Sequence, residues 1–160
     1  ALNLYAQGVR SESTIMASLL HDTLEDCPDR INMRDIANAP HLGPDVAKTV
    51  CLLTKRHEQE LDAYYDGMLR HEEAALIKVA DRLDNVATME GAFTPEKTRE
   101  YIRETEKFVL PLATTAAFRF PKRRRIIQTF AENIQRIIGQ TRNRLTVQNP
   151  GLFTPGMTFS

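Results

Sequence analysis

Two short runs in this sequence carry residues whose types and spacing suit catalysis. The first is the adjacent pair His21-Asp22, followed one helical turn later by Glu25 and Asp26. Helical spacing sets Glu25 at i+4 from His21 and Asp26 at i+4 from Asp22, so four polar groups crowd one end of one helix. Three carboxylates that close repel one another unless a cation sits among them. Negative charge is also unfavourable at a helix carboxyl terminus, which counts against a merely solvated acidic tip. A neutral imidazole with a carboxylate suits Mn²⁺, Fe²⁺ or Zn²⁺, and a metal would remove the cost of burying an unpaired aspartate. The second run is Lys78-Val79-Ala80-Asp81-Arg82-Leu83-Asp84-Asn85. There Asp81 and Asn85 share one helical face while Val79 and Leu83 point to the core. Asp81 could complete the metal shell; taken alone, such a segment reads as ordinary surface.

These side chains need helices to bring them together, and apolar spacing supplies them. Ile15, Met16, Leu19, Leu20 and Leu24 form one stripe on a helix expected to end near Cys27-Pro28. Its residues 17–20 are small or apolar and are expected in the core. Asn32 can cap a short helix, and Gly43-Pro44 places a proline where another starts, with Val46, Val50 and Leu53 inward. Leu61, Tyr64, Tyr65, Met68 and Leu69 predict a further helix. Leu76, Val79, Ala80, Leu83 and Val86 predict the one that carries the second run, stopping near Gly91. Thr94-Pro95 opens a helix through about Leu110. Pro121 begins a last long one with Ile126, Ile127, Phe130, Ile134, Ile137 and Ile138 inside. Nothing alternates like a strand. The expectation is an all-α, irregular bundle of roughly seven or eight helices over residues 1–148, with an irregular tail over residues 149–160.

Composition narrows the class. A chain of 160 residues with 42% apolar and 26% charged residues suits one globular domain. Lysine plus arginine equals aspartate plus glutamate at 21 each, so no overall field marks a nucleic-acid binder, and an anionic ligand must be held locally. The basic run at residues 122–125 reads as a solvated helix face. No apolar run approaches the ~18 residues of a membrane span and no secretion signal opens the chain, so no membrane role and a cytoplasmic location are expected. Cys27 and Cys51 form no CxxC pair and read as ordinary thiols. Pairing with a second copy is left open.

The run ASLLHDTLED at residues 17–26, followed by DRLDN at residues 81–85, resembles the HD-type hydrolase domain of the RelA/SpoT homologues and their small alarmone-hydrolase relatives. VAKTVCLLTK at residues 46–55, Tyr64-Tyr65 before Ala75-Leu76-Ile77-Lys78, and Glu104-Thr105 before Pro111-Leu112-Ala113 match the same pattern in order. The resemblance thus covers residues 11–113. It implies that His21, Asp22 and Asp81 are metal ligands, with Mn²⁺ the ion or another divalent transition metal in its place. Glu25 and Asp26 would orient or activate the attacking water. Asn85 and Thr88 would hold the nucleotide, Tyr101 would lie against it, and Lys78 and Arg82 would meet phosphate charge. It also implies a further histidine, in a His-Pro context on the preceding helix. That position falls before Ala1, so the first helix of the domain is expected to be incomplete here. His41, His57 and His71 read as surface residues.

The activity implied is metal-dependent removal of the 3′-pyrophosphate from a guanosine tetra- or pentaphosphate, giving GDP or GTP. The metal cluster alone also admits another nucleotide phosphate, such as NADPH or a deoxynucleotide. A regulatory domain that binds nucleotide without turnover is a third reading.

Overall fold

The computed structural model describes residues 1–148, so the tail expected over residues 149–160 lies outside the described residues. Ten α-helical segments follow one another: α1 Leu2–Ala6, α2 Glu12–Leu20, α3 Thr23–Asp26, α4 Met33–Asn38, α5 Gly43–Leu53, α6 Leu61–Met68, α7 Glu72–Thr88, α8 Pro95–Glu104, α9 Leu110–Arg119 and α10 Arg124–Gln148. A π-helical turn, Thr105–Val109, joins α8 to α9, making one continuous rod. With that rod counted once and the single turn α3 set aside, eight helices remain, as the apolar spacing predicts. Among the described residues there is no strand and no helix long and apolar enough to cross a membrane.

Local chemistry explains where the helices start. The Ser11 hydroxyl accepts from the Thr14 amide at 3.3 Å and caps α2. Asn32 and Asp35 form a reciprocal capping box at α4. Pro44 stands in the first turn of α5 after Gly43, whose φ of 79° lies in the left-handed region. Thr94 accepts from the Lys97 amide at 3.3 Å, and Pro95 follows it at the start of α8.

Helix α7 is the axis of the fold. Its buried residues Ala74, Ala75, Leu76, Ile77, Val79, Ala80, Arg82, Leu83 and Val86 occupy most of its circumference, as expected of a helix surrounded by others. It packs against α1, α2, α5, α6, α9 and α10. Helix α10 closes one side, burying Ile127, Phe130, Ile134 and Ile138 at helical spacing. Cys27 and Cys51 are free, half-buried thiols.

Four boundaries or faces differ from the spacing argument. Helix α2 buries Thr14, Ala17 and Ser18, while Leu19 is 63% exposed and Met16 also reaches solvent. Its small-residue face allows close approach to α5 and α7, and tertiary packing outweighs the apolar stripe. The helix breaks at His21-Asp22 and resumes as α3, rather than running unbroken to Cys27. Pro111 does not end the helix at Leu110. The wider π turn gives its ring room where an α-helical Lys107 carbonyl would clash, and the Leu110 amide bonds back to the Thr105 carbonyl. The last helix begins at Arg124 instead of Pro121, because residues 121–123 form a turn in which Arg123 pairs with Glu72 at 3.1 Å.

Candidate functional site

The break between α2 and α3 sets His21 against the middle of α7. The His21 Nδ1 lies 3.0 Å from the Ser18 carbonyl and donates to it, so in a neutral ring Nε2 carries the lone pair. That Nε2 lies 3.0 Å from Asp22 Oδ2 and 3.1 Å from Asp81 Oδ1. A lone pair facing two carboxylates is repulsive, so the arrangement needs a proton or a cation on that nitrogen. The His21 pKa is accordingly raised: its hydrogen bond to Asp81 outweighs burial, and the charges of Asp81 and Asp22 add to it.

Asp81 is largely buried yet held below the usual carboxylate range. Burial pushes it up, but the His21 hydrogen bond and the Lys78 charge win. Its Oδ1 also accepts from Asn85 Nδ2 at 3.1 Å, and its Oδ2 is 3.7 Å from the Lys78 ammonium. Asp22 is pushed up, first by burial and then by the Asp81 and Asp26 charges, with His21 opposing. Its side chain is more exposed than that of Asp81, so it has room to move.

The remaining sequence-predicted residues divide. Lys78 sits inside the cluster, paired with Asp81 and 5.6 Å from the Tyr64 ring. Glu25 accepts a hydrogen bond from the Lys55 amide beyond α5. Asp26 is exposed on the same short helix. Thr88 is exposed and donates to the Asp84 carbonyl at 3.0 Å within its own helix. Tyr101 is half-buried and edge-on to Phe93 at 5.4 Å, with Asn85 beside its hydroxyl. Arg82 is 3% exposed and engaged where α8 meets the π turn: Nη2 donates to Glu104 at 2.6 Å and Nη1 to Thr105 at 3.0 Å. His41 and His57 are exposed, and His71 is half-buried at the start of α7.

Three residues enter the site region without a role read from the sequence. Tyr64 donates from its hydroxyl to the Leu53 carbonyl, and burial pushes its pKa up. Tyr65 and Glu104 close around Arg82, with the Tyr65 hydroxyl 3.1 Å from Glu104 Oε1. Their signal was present as the Tyr64-Tyr65 and Glu104-Thr105 pairs, but their partner is not readable from spacing.

One imidazole nitrogen and two carboxylates fit a divalent transition metal by donor type. The Nδ1-to-carbonyl hydrogen bond is the usual support of a ligating histidine. Among the described residues, no group of three or more His, Cys, Asp or Glu side chains is arranged to hold an ion as it stands. The three donors close on one another, and the exposed Asp22 is the member able to open.

No family model matches the chain. Individual proteins do. The chain is 34% identical over 111 residues to a guanosine-3′,5′-bis(diphosphate) 3′-pyrophosphohydrolase of Vibrio cholerae, which is 62% of this chain and 15% of that protein. To the Aquifex aeolicus protein of the same name it is 36% identical over 124 residues, 71% of this chain and 16% of that one. To a probable GTP pyrophosphokinase of Mycobacterium leprae it is 33% identical over 120 residues, 69% of this chain and 15% of that one. The chain therefore spans only about 15% of the length of these curated relatives. The matches, at 33–36% identity, support the resemblance to the hydrolase domain of the RelA/SpoT homologues.

Proposed function

We propose that this chain hydrolyses the 3′-pyrophosphate of a guanosine tetra- or pentaphosphate, with Mn²⁺ held by His21, Asp22 and Asp81. The observation that carries the reading is the approach of both carboxylates to one nitrogen of His21, across two helices. The activity for which the relatives from Vibrio cholerae and Aquifex aeolicus are named supports the substrate.

When bound, the ion would supply a Lewis acid that neutralises phosphoryl charge and acidifies water. The chain's own residues do the rest. The Ser18 carbonyl orients the His21 ring, and Lys78 and Asn85 fix the Asp81 carboxylate. The Lys55 amide anchors one oxygen of Glu25, and the other oxygen takes the proton of the attacking water, with Asp26 beside it. Water adds to the phosphorus attached to the ribose 3′-oxygen, and that oxygen leaves with a proton, giving GDP or GTP and pyrophosphate. Asn85 and Thr88 on α7 and Tyr101 on α8 would hold the nucleoside.

Purified protein incubated with Mn²⁺ and guanosine tetraphosphate should release pyrophosphate. The Asp81→Ala variant should lose more than about 100-fold, beyond what loss of an outer partner costs. Release by wild type no greater than by the variant removes the proposal. A panel of NADPH and deoxynucleotides at equal concentration separates the alternative substrates.

A further inference from the structure

Arg82 follows Asp81 directly in sequence but is built into a different set of contacts. Its Nη1 donates to Thr105 Oγ1 at 3.0 Å, and its Nη2 donates to Glu104 Oε1 at 2.6 Å and to the Tyr65 oxygen at 3.3 Å. The Tyr65 hydroxyl donates to the same Glu104 oxygen at 3.1 Å, and the Tyr65 ring stacks on Phe108 at 5.2 Å. Thr105 in turn donates to the Tyr101 carbonyl at 2.7 Å. The guanidinium carbon stands 4.1 Å from the centre of the Tyr101 ring. Tyr101 is therefore held between a buried cation and the edge of Phe93, with its hydroxyl at Asn85, and Asn85 donates to Asp81.

This arrangement uses what distinguishes arginine from lysine. A planar fork bonds Glu104 and Thr105 in its plane while its face lies on an aromatic ring, and an ammonium cannot do both. A guanidinium so engaged is 3% exposed; its Nε, without a partner among the described residues, is buried, and neither terminal nitrogen is left over for a phosphate. We propose that Arg82 is a positioning residue. Clamped by Glu104, Tyr65 and Thr105, it fixes the Tyr101 ring and, through Asn85, the nucleotide side of the site, and it makes no phosphate contact of its own. The effect on catalysis rests on the hydrolase reading above; the clamp itself does not.

The test uses the full chain and the variants Arg82→Lys, Glu104→Ala and Tyr65→Phe, with guanosine tetraphosphate as probe. Arg82→Lys keeps the charge, and Glu104→Ala leaves Arg82 untouched. Both should raise KM about tenfold with kcat changed far less, the scale of losing an outer supporting partner. The double variant should be no worse than the single ones, because the residues act as one unit. Tyr65→Phe, which removes one hydroxyl, should give a smaller rise in the same direction and serves if Glu104→Ala does not fold. A raised KM for Arg82→Lys with an unchanged KM for Glu104→Ala and Tyr65→Phe overturns the proposal, since Arg82 would then touch the substrate itself. Ring flipping of Tyr101, followed by NMR without nucleotide, should be slow in wild type and faster in all three variants. If wild type proves inactive, the hydrolase reading fails and the ring-flip rates alone decide the clamp. Equal rates in wild type and variants then refute it.

Discussion

The two nitrogens of His21 meet opposite partners, and that asymmetry decides what the ring can do. Nδ1 is spent on the Ser18 carbonyl, so Nε2 is the only nitrogen left to face Asp22 and Asp81. Glu25 is fixed differently, through the Lys55 amide. Glu25→Gln keeps an acceptor oxygen for that amide and loses only the charge, so turnover should fall by about 100-fold or more while Mn²⁺ affinity stays near wild type. Unchanged turnover would move the proton acceptor to Asp26. Glu104 makes a prediction in acid. Burial pushes its carboxyl up, but the Arg82 hydrogen bond and charge and the Tyr65 hydroxyl bring it below the ordinary 4.5. A depressed value adds stability that is fully present above the unfolded-state pKa and is lost as pH falls through the folded one. The thermal midpoint of Glu104→Gln should therefore fall less steeply than that of wild type as pH drops below 4.5, and parallel slopes would deny the pairing. At this scale the charged pair His21-Asp22 was legible because it stands on an apolar background. The partners of Arg82 were not, because nothing in the spacing tells that Glu104, 22 residues on, faces it.

Helices α2 and α7 and the α8–α9 rod place the site, and each does so through a local rule. Thr94 and Pro95 start the rod that carries Tyr101, Glu104 and Thr105. Thr94→Ala should cost about 1 kcal/mol and lower the thermal midpoint by about 2–4 °C, measured by circular dichroism. An unchanged midpoint would mean that Pro95 and packing suffice to start the helix. Caps at Asn32, Pro44 and Thr94 were readable in the sequence because capping depends on a few adjacent residues. The rod was not, since Pro111 breaks most helices and here is absorbed by a π turn that sets which residues face α7. The buried face of α2 was legible only in part. Ala17 and Ser18 lie in the core as expected, but Thr14, which carries little hydrophobic signal, is buried with them while Leu19 is exposed, and these small residues let the helix approach α5 and α7.

At the scale of the molecule, the fold brings residues 60 positions apart into hydrogen-bonding range, His21 on one side and Asp81 on the other. Helix α7 can do this because it is surrounded, with α10 covering one side through Ile127, Phe130 and Ile134 and α2 and α5 packing against it as well. The all-helical class and the core of α7 followed from apolar spacing, which is strong in long helices. How two acidic runs meet did not follow from it, because neither run contains information on the distance between its helix and the other. The account stands on that meeting point. It is tested most directly by electron spin-echo spectroscopy of the protein loaded with Mn²⁺. One ion per chain, with nitrogen modulation from an imidazole that disappears in His21→Ala and an ion lost in Asp81→Ala, is the result expected. An ion bound equally well by wild type and Asp81→Ala, with the same modulation in His21→Ala, would contradict it.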